Sequence, residues 1–267
     1  VYTRKTETAE DHFREFTSHA GAGNAENANW YLEQAIFLDP DNQQYKLAQA
    51  QFYLEIGDAE TAFRLFDRML ETHPTYEALN YLGYIYINQN KLNKAQELYL
   101  RAMDYAKTDS EKSDAHTSLG NVARLRFDYP TAYQQYHTAL DFNPLSIGAL
   151  NNIASVCDEV NKADEKVGYF QRIIDADSSF YLVHVNIGFH YLGEEKYQEA
   201  LEEFEAVLEV DSTQALTLNN KSFALLKLKR LDEAMIFVNK SLEYGPGNSY
   251  AYRNRALIKL EMGEKSA

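Results

Sequence analysis

Spacing is the feature of this sequence that most limits what it can fold into. Pro40 and Pro74 stand 34 residues apart, and Pro144 and Pro246 stand 102 apart, three times that interval. A period of this length marks a chain made of copies of one small unit that cannot bury its apolar side alone. Pro74 and Pro144 are separated by 70, two periods plus two residues, so an insertion is expected between them, and the polar stretch from Lys107 to Lys112 is where it fits. The period divides the chain into units at 9-42, 43-75, 76-109, 113-146, 147-180, 181-214 and 215-248, with a partial unit at 249-267, and 1-267 reads as a single array. In each unit two blocks of apolar and small residues recur three and four apart, the stripe pattern of two helices that cover each other. Twelve Gly and five Pro leave few helix breakers, so the fold class is all-α.

The unit from Gln43 carries Ala50, Tyr53, Gly57, Ala62, Phe66 and Pro74, and the next carries Leu82, Gly83, Tyr86, Ala95, Tyr99 and Ala102. Leu119, Gly120, Ala132, Tyr136, Ala139 and Pro144 follow in phase, then Ile187, Gly188, Tyr191, Ala200 and Phe204. These residues resemble the tetratricopeptide-repeat family, which has Leu at position 7, Gly at 8, Tyr at 11, Gly at 15, Ala at 20, an aromatic at 24, Ala at 27 and Pro at 32. The resemblance covers essentially the whole chain. It implies an α-solenoid, a right-handed superhelix of about seven helix-turn-helix hairpins plus one additional helix. Other units are weaker but in phase. At 147-180 Lys166 replaces the small residue of position 20 and Ser178 the proline, so looser helix pairing is expected; at 215-248 Lys221 stands where Leu is usual.

Small residues at positions 8 and 20 let the two backbones of a hairpin approach, with aromatics filling the space beside them. Hairpins then stack on their neighbours, and the first helices line the inner side. Positions 2, 5, 6, 9, 12 and 13 are free of packing duty there. Position 6 reads Asn152, Asn186, Asn220 and Asn254. An amide offers a donor and an acceptor together and can bracket a peptide bond whatever side chain that residue bears; the resemblance implies that role for this ladder. Asn151, Asn219 and Asn121 fall on the same side. Beside the ladder run Leu182, Leu216 and Tyr250 at position 2, Phe189, Phe223 and Leu257 at position 9, and Leu192, Leu226 and Leu260 at position 12. Apolar rows on a wetted wall point to a binding surface. The first half has no ladder; its inner positions are Glu77, Tyr81, Tyr84, Asp114, Asn121 and Arg124, and Asp158 and Glu159 add negative charge further on.

Charge and motifs narrow the function. A formal charge of -14 opposes nucleic acid and anionic membranes as partners. No apolar run approaches the roughly 18 residues that a membrane span needs. There is no glycine-rich phosphate loop, GxSxG, HExxH or Asp-rich calcium loop, so no catalytic site, metal or cofactor is expected. The single Cys157, at position 11, reads as a buried filler. A reducing cytosol and a periplasm both tolerate it, so the compartment stays open. The chain starts at Val1 with no initiator Met, which leaves open whether an upstream segment, a signal peptide or more repeats, was removed. Members of the family that hold chaperone tails clamp a terminal carboxylate with Lys and Arg at positions 2, 5 and 6; here position 2 is apolar in the last three units and only Arg253 is basic at 5 or 6. The expected function is a scaffold or adaptor holding a peptide or helical segment of a partner protein. Two alternatives remain: a homo-oligomeric assembly module, and the substrate-recruiting arm of a larger enzyme or secretion or assembly complex.

Overall fold

The structure is a computed structural model and describes residues 7–263. Among the described residues there are fifteen α-helices and no strand, in two compact units, one through Phe142 and the other from Asn143. The first unit holds four hairpins: α1 (Ala9–Gly21) with α2 (Ala25–Leu38), α3 (Gln43–Glu55) with α4 (Ala59–Thr72), α5 (Tyr76–Asn88) with α6 (Leu92–Met103), and α7 (Asp109–Leu125) with α8 (Tyr129–Phe142). The second holds α9 (Ile147–Val156) with α10 (Lys166–Ala176), α11 (Val183–Gly193) with α12 (Tyr197–Val210), α13 (Ala215–Lys227) with α14 (Leu231–Tyr244), and then α15 (Ser249–Glu261).

Each boundary has a local cause. The residue that closes one unit caps the first helix of the next: Asn42, Thr75, Ser146, Gln214 and Asn248 accept from backbone amides of the first turn that follows. Such a cap contributes about 1 kcal/mol. Inside every hairpin the first helix ends in the same way. The amide of unit position 16 donates to the carbonyl of position 11 at 2.8–2.9 Å, from Asn24 to His19, Asp58 to Tyr53, Lys91 to Tyr86 and so on to Arg230 and Leu225. This six-to-one closure requires a left-handed residue at position 15. That residue is Gly23, Gly57, Asn90, Phe127, Asn161, Glu195 and Lys229, all with φ between 56° and 87°, and Gly263 after α15 has a φ of 81° as well.

Phe127 has a β-carbon in a conformation that costs an L-residue about 1–2 kcal/mol, and its ring is exposed. Phe127→Gly should therefore stabilise the first unit by about 0.5–1 kcal/mol, after allowing for glycine's larger loss of chain entropy. Phe127→Ala should gain nothing. Urea-unfolding midpoints of the two variants check this.

The two-residue excess between Pro74 and Pro144 is absorbed in helix. Helix α7 has 17 residues, against 13 in α1, α3 and α5, and its added amino-terminal turn is fixed by a reciprocal capping box between Thr108 and Glu111. The 147-180 unit is the irregular one. Helix α9 stops after 10 residues, 3-10 turns occupy 158–160, 163–165 and 178–180, and α10 has 11 residues. The long Lys166 side chain, where other units bury alanine, turns to Asp158 at 2.6 Å. Cys157 is fully buried, its Sγ donates to the Ile153 carbonyl at 3.3 Å, and burial pushes the thiol up to about 11.

Packing inside a hairpin follows position 8. A β-carbon added to Gly83, Gly120 or Gly188 would lie 2.5, 2.5 or 2.6 Å from the ring of Tyr99, Tyr136 or Phe204, all buried and all at position 24 of the same unit. The core runs as a succession of clusters. One in the first unit centres on Phe66, Leu79, Leu82 and Ile85, and one in the second on Leu201, Leu225, Ala234, Val238 and Ile258. At position 7 of the α13 unit, buried Lys221 extends to Glu205 at 2.8 Å with its ammonium 4.2 Å from the centre of the Phe237 ring.

Candidate functional site

The first helices of the second unit, α11, α13 and α15, contact one another in order as well as their own partners. That contact divides the wall. Its centre is packed: Asn219 and Asn254 are 6% and 7% exposed, and the Asn254 Nδ2 donates to Asn219 Oδ1 at 2.9 Å across the α13–α15 seam. Asn219 Nδ2 donates onward to Asn220 Oδ1 at 3.3 Å. Leu226 is buried, and Leu192, Phe223 and Leu257 are partly buried against the same core. The flanks are open. Leu182, Phe189, Leu216, Tyr250 and Leu260 are between 48% and 70% exposed, Asn186 is exposed and Asn220 half-buried.

The sequence-based ladder is thus not uniform. Asn186 and Asn220 stand where a ligand could reach them, whereas Asn219, Asn254 and Leu226 belong to the seam between neighbouring first helices. Asn151 and Asn152 are half-buried on α9. Asp158 and Glu159 are exposed on the 3-10 turn after α9, with Asp158 held by Lys166.

In the first unit, Tyr81 and Tyr84 of α5 and Asn121 and Arg124 of α7 line a cavity of about 450 Å³. Asn80 and Ser118, which the repeat pattern did not single out, complete its polar lining. Tyr81 is stacked on Phe66 with ring centres 5.2 Å apart, so its ring is fixed. The Asn121 oxygen accepts from the Tyr136 hydroxyl at 2.8 Å, and burial, opposed by neighbouring Arg124, raises the Tyr136 phenol. Among the described residues, no group of three or more His, Cys, Asp and Glu could hold a metal ion, and no helix is long and apolar enough to cross a membrane. His184 instead meets Glu203 at 2.6 Å between α11 and α12.

Comparison with known proteins agrees with this geometry. Family models described as tetratricopeptide repeat match residues 13–77, 53–117 and 191–258, together well over half the chain. The chain belongs to the tetratricopeptide-repeat family. It is 24% identical over 245 residues to the human DnaJ homolog subfamily C member 7, covering 85% of this chain and 49% of the relative. The chain spans about half or less of the length of the first curated relatives it matches. Among solved structures, the apo form of RapI superposes with a TM-score of 0.71 at 15% identity, over 95% of this chain and 82% of RapI. YrrB, described as a TPR protein with an unusual peptide-binding site, superposes with a TM-score of 0.58 at 19% identity, over 72% of this chain and 97% of YrrB. At these identities the superpositions establish the fold alone, an α-solenoid.

Proposed function

We propose that the chain is a non-catalytic adaptor whose second unit captures a segment of a partner protein along the open flanks of α11, α13 and α15. The observation that carries this reading is the set of five large apolar side chains, Leu182, Phe189, Leu216, Tyr250 and Leu260, left exposed at positions 2, 9 and 12 beside Asn186 and Asn220. Burial of such side chains is worth about 1.5–3 kcal/mol each, a driving force that a docked segment recovers. The two accessible amides grip the segment's backbone, and the apolar rows select its side chains. YrrB, the relative with a peptide-binding site, supports the reading by analogy.

A photo-crosslinking amino acid at position 189 or 216, introduced in the native cell, tests it. Both should trap the same partner, while the same group at Ile236, exposed on the second helix α14, should not. Trapping of a second copy of this chain would turn the reading into the assembly alternative, and equal trapping from all three positions would end it.

A further inference from the structure

The cavity of the first unit has a chemistry of its own. Among the described residues, Arg124 is the only charged side chain that lines it, beside the rings of Tyr81 and Tyr84 and the aliphatic Ile87 and Leu125. The arginine ion pairs among the described residues are Arg14–Asp11 and Arg230–Glu233, so Arg124 has no carboxylate of its own there; its guanidinium donates to the neutral Tyr136 phenol, and its buried Nε has no hydrogen-bond partner. A buried Nε–H without a partner is unusual, because buried polar groups in folded proteins are almost always paired, and a phenol leaves the guanidinium's charge uncompensated.

The amides are biased too. Ser118 Oγ donates to Asn80 Oδ1 at 3.4 Å and Tyr136 Oη donates to Asn121 Oδ1 at 2.8 Å, so both amide oxygens are already in use. What the cavity offers to an incoming group is therefore rich in donors: the guanidinium, the Asn80 NH₂ and the hydroxyl of Tyr84, which is 50% exposed. Of the acids of this wall, Glu77 lies in the first turn of α5 and Asp114 in the amino-terminal half of α7, ten residues before Arg124 or about 15 Å along the helix. Arg124 is thus the charge nearest the cavity, and the two acids lie outside its lining.

We propose that this cavity binds the side-chain carboxylate of an aspartate or glutamate in a partner segment, next to an apolar residue that packs on Tyr84. The carboxylate pairs with Arg124, in a chain whose overall charge of -14 would otherwise repel it. The site lies on a different unit from the surface of the adaptor reading and does not depend on it.

The test uses two acetylated and amidated peptides, Ser-Leu-Glu-Leu-Ser and its Gln counterpart, titrated into the full chain and followed by NMR of the arginine Nε–H groups. The Glu peptide should bind about tenfold more tightly than the Gln peptide. Arg124→Gln should erase that difference and Arg124→Lys should keep most of it. Tyr84→Ala, at a half-exposed position, should weaken both peptides. Phe189→Asp in the second unit should change neither, so failure here is distinguishable from failure of the adaptor reading. Equal binding of the two peptides, a preference that survives Arg124→Gln, or binding that requires a free C-terminus would overturn the proposal.

Discussion

Gly188→Ala should destabilise the second unit by about 2 kcal/mol, and most of that loss should vanish in a Phe204→Leu background. The reason is contact. The new methyl would lie 2.6 Å from Phe204 Cε1, and Phe204 is fully buried, so the ring has nowhere to go. Alanine would otherwise improve a helix interior by about 1 kcal/mol, so the sign of the change is diagnostic. Gly168 in α10 supplies the opposite case: nothing lies within 4 Å of its added β-carbon, and Gly168→Ala should stabilise. Urea unfolding followed by helical circular dichroism, on the two single variants and the Gly188–Phe204 double-mutant cycle, gives both signs. A destabilisation that persists in the Phe204→Leu background would place the function of Gly188 somewhere other than beneath the ring.

Asn254→Ala should cost about 1–3 kcal/mol, because it removes the donor to buried Asn219 and leaves that amide oxygen without a partner. Asn186→Ala, at the corresponding position one repeat pair earlier, should leave stability unchanged because Asn186 is exposed. Identical residues one or two periods apart thus serve different ends, one joining α13 to α15 and one facing solvent. Melting temperatures of the two variants decide it; equal losses would show that the ladder is structural throughout.

The repeat made much of the fold readable before any coordinates. The proline interval set the phase, and the small residues at positions 8 and 20 marked where the two helices of a hairpin approach; that the position-24 ring lies directly over Gly83, Gly120 and Gly188 came from the structure. The turn was harder to read. Glycine marks position 15 at Gly23, Gly57 and Gly263, but Phe127, Glu195 and Lys229 adopt the same left-handed conformation because the six-to-one closure imposes it. The proline spacing located the insertion near Lys107 but not its form: Thr108 and Glu111 make a capping box, and the excess became a helical turn. Lys166 and Ser178 did announce the irregular unit.

The site was legible only in part. Helical phase places a residue on a face, but burial there depends on how closely the next first helix approaches. Asn219, Asn254 and Leu226 are covered by that approach, while Phe189 and Leu260 on the same nominal face are not. In the first unit the sequence put Tyr81, Tyr84, Asn121 and Arg124 on the inner side without showing a cavity. Its remaining walls come in part from neighbouring helices, Leu54 of α3 and Tyr99 of α6, and in part from Asn80 and Ser118 of α5 and α7 themselves.

The most direct test of the adaptor reading is calorimetric. Once the crosslinked partner is identified, its segment is titrated into the wild-type chain and into the Asn186→Ala, Asn220→Ala double variant. Two lost hydrogen bonds to a peptide backbone amount to about 1–3 kcal/mol, so affinity should fall roughly tenfold or more. Asn186→Ala alone, at an exposed position, should weaken binding with the melting temperature unchanged, whereas Asn220→Ala also removes the acceptor of buried Asn219. An affinity equal to that of the wild type would contradict capture by these amides.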